Sequence, residues 1–218
     1  MKVFVVAMEK EAAPILEVMR VRRFLNFCGK RVLTGELYGV RCGVVVCGVG
    51  KVNAAMGAQI AIDELGAEVI INIGYAGGLN GSLEVGKIYE ISHAVQYDFD
   101  LTQLNGTKIG TLDECKENFL ALDALSLYPL KKLATGDRFN DSAEDFKLLT
   151  ELGADIRDME GAAVAQVCMH AKVELRAYKV ISDLAGSGST TEQYMKNLAV
   201  CADTLKRELK NIVVGGGV

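Results

Sequence analysis

EVIINIGYAGGLNGSLEVGKI, residues 68–88, decides the fold. Its opening run, EVIINIG (68–74), is apolar on both faces. That is the pattern of a strand in a sheet covered on both sides. The glycines that follow have two readings. Gly74, Gly77 and Gly78 let a backbone approach a ligand closely, and Gly81 and Gly86 suit turns. Taken alone, a purely structural glycine turn explains them as well. Working outward, similar strand runs are predicted at 2–7, 31–37, 41–48, 87–96, 130–136 and 175–182. Helical spacing is predicted at 9–19, 51–65, 160–170 and 190–213, the last opening after SGSTT, whose hydroxyls can cap orphan amides. Strands alternating with helices argue an α/β class with right-handed crossovers. Segment 98–128 breaks the alternation and reads as a lid, a subunit contact or a plain connection. One domain is expected over 1–213, with 214–218 a frayed tail.

The bulk properties exclude several classes. The 218 residues suit one α/β domain, half of them are hydrophobic, and the formal charge is −4. No basic cluster is dense enough for a nucleic-acid footprint. The densest basic run, Arg20, Arg22, Arg23, Lys30 and Arg31, reads as solvated surface. No apolar run reaches the ~20 residues of a membrane-spanning helix. MKVFVVAMEKE reads as a first buried strand rather than a secretory signal. Six scattered cysteines without a CxxC pair read as reduced and structural in a cytoplasmic protein, with Cys42 and Cys47 as small core residues of an apolar strand. With two isolated histidines, His93 and His170, a transition-metal site is not expected.

Chemistry concentrates in three acids, each where a strand-like run meets a helix-like run. They are Glu11 in AMEKEAAPIL, Glu160 in RDMEGAAVAQV and Asp183 in KVISDLAG. Such positions lie at the mouth of a parallel sheet, where open α/β folds bind small ligands. Singly, each has an ordinary reading: Glu11 and Glu160 as first-turn helix acids, Asp183 as an N-cap. GVGKVNAA (48–55) is neither GxGxxG, since Asn53 holds the third position, nor a P-loop. It reads as a tight strand-to-helix turn.

AMEKE, GVGKVNAA, NIGYAGGLNGSLEVGKI, TGDRF, DMEGAAVAQV and ISDLAG occur together and in order. In this the chain resembles the 5′-methylthioadenosine/S-adenosylhomocysteine nucleosidases of the purine nucleoside phosphorylase superfamily, from residue 1 to about 212. The resemblance implies a central mixed twisted sheet partly curled into a barrel, flanked by helices, and a homodimer. It implies hydrolysis of the N-glycosidic bond of an adenine nucleoside, with water as nucleophile and no cofactor. Asp183 would deliver a proton to N7 of the purine, with Ser182 orienting it. Glu160 would bind the ribose hydroxyls, with Met159 and Asp158 beside it. Glu11 would activate the water. Phe139 would stack near the base, and the backbone at Asn140 would read the base edge. Gly77 would lie against the ligand. Leu101 and Leu104 would be lent to the partner's 5′-substituent pocket. The chemistry is coherent: adenine leaves poorly as an anion, so one carboxyl must protonate it while another activates water.

The chain departs from the pattern at three positions. Tyr75 stands where many relatives carry a water-holding serine, Lys179 where many carry an arginine, and Tyr97 where one branch has a histidine. Lysine keeps the charge but loses the planar fork. Asn72 stands where phosphorylases carry a phosphate-binding arginine, which favours hydrolysis. The rival readings are a futalosine-type hydrolase, a phosphorylase, a nucleoside-binding sensor without turnover and, weakest, a dehydrogenase.

Overall fold

The computed structural model describes residues 1–215. In chain order the elements are β1 (Lys2–Val6), α1 (Glu9–Leu16), β2 (Arg20–Phe27), β3 (Lys30–Leu37), β4 (Val40–Val46), α2 (Lys51–Asp63), β5 (Val69–Gly78), β6 (Ile88–Gln96), α3 (Thr102–Asn105), β7 (Leu120–Ala121), β8 (Leu130–Thr135), α4 (Ala143–Glu151), β9 (Ile156–Asp158), α5 (Gly161–Ala171), β10 (Glu174–Leu184) and α6 (Thr190–Val214). The frayed tail was expected to begin at 214. Val214 is still helical and the Gly215 amide donates to the Asn211 carbonyl, while 216–218 lie outside the described residues.

One mixed sheet carries the molecule. Its strands run β10-β6-β8-β9-β5-β1-β4-β3-β2, with β7 against β6. β10 also pairs with β5, so β5, β10, β6, β8 and β9 close into a ring. This is the expected mixed sheet partly curled into a barrel. β1 shows why the strands read as apolar throughout. Val3 and Val5 pack on one face with Ala54 and Ala58 of α2 and Ala162 of α5. Phe4 and Val6 pack on the other with Ile15 of α1 and Leu205 and Leu209 of α6. These four apolar side chains of β1 are fully buried, each stabilising the fold by roughly 1.5–3 kcal/mol.

Five elements were not expected: β2, α4, β9 and, within segment 98–128, the short α3 and β7. The basic run at 20–31 is solvated as predicted at Arg20, Arg22 and Arg23, but it forms the edge strand β2. Arginines on an edge strand keep it from pairing with other chains. α4 and β9 lie between the predicted strand at 130–136 and the predicted helix at 160–170. Ser142 caps α4 by accepting from the Asp145 amide. β9 has only three residues, too few for a periodicity to show. The glycine turn read after residue 74 is also displaced. β5 continues through Gly78 without a break. Segment 98–128 is largely irregular, with one short helix and a two-residue strand. All six cysteines are free thiols, and no helix among the described residues is long and apolar enough to cross a membrane.

Candidate active site

A cavity of about 420 Å³ opens where β5, β9 and β10 end beside the starts of α1 and α5. Glu11, Glu160 and Asp183 all line it. Glu11 sits in the first turn of α1. One carboxylate oxygen accepts from the Met8 amide at 3.0 Å and the other from the Tyr75 amide at 2.9 Å. The ordinary reading of Glu11 as a first-turn acid therefore holds, yet the same side chain reaches across to β5. Burial pushes its pKa up, against those two amides and the Lys179 charge.

Asp183 follows an irregularity in β10, where the register against β5 shifts between Ile181 and Asp183. Such a bulge re-aims side chains. Oδ1 accepts from the Ser182 hydroxyl at 2.7 Å. Oδ2 is buried and makes no hydrogen bond. Its nearest charge is Arg157 Nη2 at 3.8 Å. Burial raises the Asp183 pKa, and Ser182 and Arg157 oppose that shift. The N-cap reading does not hold, because Ser189 caps α6.

Glu160 occupies the N-cap position of α5 without capping it. The first amides of α5 are taken instead by Asp158, which accepts from Gly161, and by the Thr135 hydroxyl, which accepts from Ala162. The Glu160 carboxylate turns to the Gly50 amide at 2.9 Å, within GVGKVNAA. That segment is the strand-to-helix turn expected, and it supports the site by this one N–H. Burial, then the Asp158 charge, pushes the Glu160 pKa up, while Lys179 pulls it down.

Two residues singled out in the sequence lie outside the cavity. Lys179 is buried beneath the floor, with Nζ 2.8 Å from Asp158 Oδ2. Burial works against its charge, but Asp158 and Glu160 outweigh it and its pKa is raised. Its charge is paired with Asp158, and it does not line the cavity. Asp158 lines the cavity, but Thr135, Gly161 and Lys179 already occupy its oxygens. Asn140 is the second. Its side chain donates to Asp145 and its carbonyl accepts from Arg157. Leu101 and Leu104 do not line this chain's cavity, and Leu104 is 79% exposed. Phe139, Met159, Tyr75, Gly77 and Ser182 do line it. Phe139 meets the Tyr194 ring edge-on at 5.9 Å, and the Tyr75 hydroxyl donates to the Lys10 carbonyl at 3.3 Å.

The glycines of β5 make room for side chains of the site. A Cβ on Gly74 would lie 2.7 Å from Glu11 Oε1. One on Gly77 would lie 2.8 Å from Asp183 Oδ2 and 3.0 Å from Arg157 Nε. Gly77→Ala is therefore expected to lower kcat/KM by on the order of 100-fold in a folded protein, because displacing a catalytic group by about 1 Å has that effect. Steady-state kinetics beside a circular dichroism spectrum checks this; wild-type kinetics would mean that Asp183 has room to shift.

Sequence reading missed Arg157, Arg138, Tyr194 and Met195, all in the wall of the cavity. Arg157 lay within the quoted RDMEG, but its role depends on β9, which shows no periodicity.

The comparisons agree with this geometry. Residues 2–214 match the model of the Phosphorylase superfamily. A 5′-methylthioadenosine/S-adenosylhomocysteine nucleosidase of Colwellia psychrerythraea is 31% identical, covering 91% of this chain and 90% of that one. An aminodeoxyfutalosine nucleosidase of Campylobacter jejuni is 30% identical over 83% and 84%. Among solved structures, a 5′-methylthioadenosine/S-adenosylhomocysteine nucleosidase of Colwellia psychrerythraea in complex with adenine superposes with a TM-score of 0.88 at 29% identity, over 98% of this chain and 94% of that one. The chain belongs to the Phosphorylase superfamily, among its nucleosidases, and is an N-glycosyl hydrolase.

Proposed function

We propose that the chain hydrolyses the N-glycosidic bond of 5′-methylthioadenosine, S-adenosylhomocysteine or both, releasing adenine. One observation carries this: three buried carboxylates, from α1, the N-cap of α5 and β10, line one cavity, and one of their oxygens, Asp183 Oδ2, is buried without a hydrogen-bond partner. Protonated Asp183 donates to N7 of the base as the C1′–N9 bond breaks, and the bond's electron pair leaves with the base. Glu160 and Met159 hold the ribose, whose positive charge grows in an oxocarbenium-like transition state. Glu11 takes a proton from the water that attacks C1′. Both pKa values are raised by burial, which suits Asp183 to hold its proton and makes Glu11 a stronger base than an exposed glutamate. Tyr75 supplies an amide to Glu11 and a ring to the wall, in place of the serine of many relatives.

A futalosine-type nucleoside is the second reading, favoured by the aminodeoxyfutalosine nucleosidase at nearly the same identity. A homodimer fits both. Val52 and Met56 on α2 and Leu104 on α3 are exposed apolar side chains, and a partner subunit would cover such residues. Leu101 and Leu104 would then reach the partner's 5′-substituent pocket. Methionine salvage is the metabolic role consistent with the first reading.

Chromatography of base released from 5′-methylthioadenosine, S-adenosylhomocysteine and aminodeoxyfutalosine, with and without phosphate, tests the reading. Adenine is expected at equal rates in both conditions, because Asn72 offers no guanidinium for phosphate. Release that requires phosphate would make the chain a phosphorylase.

A further inference from the structure

Glu160 stands at the N-cap of α5, from which a side chain ordinarily turns back to the amide of the second or third helical residue. At this helix no such amide is free. The Gly161 amide donates to Asp158 Oδ2 at 2.9 Å, and the Ala162 amide to the Thr135 hydroxyl oxygen at 2.9 Å. The Ala163 and Val164 amides both donate to the Glu160 carbonyl, at 3.0 and 3.2 Å. The opening amides of a helix need acceptors from outside it, and here other residues supply them before the Glu160 carboxylate is needed.

Thr135 joins the parts of this arrangement. It lies on β8, in parallel register with Asp158 of β9, and is fully buried. Its hydroxyl donates to Asp158 Oδ1 while accepting from Ala162. One hydroxyl can do both, having a donor and two lone pairs. Lys179 Nζ holds the other Asp158 oxygen from β10 at 2.8 Å. Thr135 does not line the cavity, whereas Glu160 does. We infer that Thr135 is a positioning residue for ribose recognition: it caps α5 in place of Glu160 and so leaves the Glu160 carboxylate free for the sugar hydroxyls. This rests on the proposed reading of Glu160 as the ribose ligand. Valine at 135 keeps the shape and loses the hydroxyl. The Ala162 amide then has no acceptor, and a buried donor left so is costly. Glu160, two residues before it, is placed to turn back and take it, away from the sugar.

The test measures adenine release from 5′-methylthioadenosine and from its 2′-deoxy and 3′-deoxy forms. Ribose preference is the ratio of kcat/KM for the parent to that for each deoxy form. Thr135→Val is expected to lower the larger of the two wild-type preferences by on the order of tenfold, the discrimination that one hydrogen bond to a charged group carries. Thr135→Ser is expected to retain most of it, because serine keeps the hydroxyl. In a Glu160→Ala background, Thr135→Val is expected to change the preference no further, which places the effect on the carboxylate. Lost stability would lower all three rates alike and leave the ratios unmoved; Thr135→Ala serves if Thr135→Val does not fold. A folded Thr135→Val with wild-type preference overturns the inference and leaves the proposed function standing. So does a Thr135→Ser that loses as much as Thr135→Val, or an equal further loss in the Glu160→Ala background. Wild-type protein that releases adenine without ribose preference removes Glu160 as the ribose ligand, and the inference with it. Release of no base from any of the three sinks the nucleosidase reading as well.

Discussion

Asp183→Asn is expected to lower kcat on adenine nucleosides by on the order of 100- to 10,000-fold, the range over which general acids contribute. The amide keeps the shape of the carboxyl and an acceptor for the Ser182 hydroxyl, but it has no acidic proton for the base. The loss should fall on kcat more than on KM, because proton transfer belongs to the bond-breaking step. The pH profile gives a second readout. Asp183 acts as acid only while protonated, and burial raises its pKa, so kcat/KM should fall as pH climbs through that raised value. The variant should lose this alkaline limb. Stability should not suffer at a pH above that raised value. A carboxyl whose folded pKa is raised contributes stability below its unfolded pKa and loses it as pH rises through the folded pKa. Above that raised value the ionised, unpartnered side chain is a cost, so there the melting temperature of the variant should match or exceed that of the wild type. Near-normal turnover would remove Asp183 from the role of general acid.

Glu11→Gln is expected to lower kcat by on the order of 100- to 1,000-fold while a non-hydrolysable substrate analogue still binds within a few-fold. Glu11 sits under two backbone amides, from Met8 and Tyr75. Each carboxylate oxygen has two lone pairs, so both oxygens keep acceptor capacity for a water. Glutamine offers one carbonyl oxygen and turns an NH2 toward the other amide. A donor then faces a donor in a buried site, at a cost of about 1–3 kcal/mol of stability. A melting curve should register it. The base works ionised, and its pKa is raised, so wild-type kcat/KM should also fall as pH drops through that value. With the Asp183 limb, this makes a bell-shaped profile whose acid side Glu11→Gln should remove. Unchanged rates in the variant would assign the water to another group.

Much of the fold was legible because local periodicity reports burial. β1, β3, β4, β5, β6, β8 and β10 each carry the both-faces apolar run or the β-branched residues from which they were predicted. Helices α1, α2, α5 and α6 were found within three residues of their ends. β2, α3, β7, α4 and β9 were not read. The arginines of β2 mask an alternating edge strand, and β9 is too short for any pattern. The barrel closure was implied only by resemblance, since pairing of β10 with both β5 and β6 is a contact between segments far apart in the chain.

At the site, the sequence alone determined which acids to consider. Glu11, Glu160 and Asp183 stand at strand-to-helix junctions, and junctions are marked by local composition. Tertiary structure decided what surrounds them. It put Lys179 beneath Asp158 and out of reach of the cavity, turned Glu160 away from its own helix to the Gly50 amide, and left Asp183 Oδ2 alone beside Arg157. It also gave Gly74 and Gly77 their purpose, as the gaps that admit two carboxylates. The physical reason is one of range. Periodicity and capping act within a few residues of chain, whereas burial, pKa and the partner of each carboxylate oxygen depend on atoms a few ångströms away that distant segments supply.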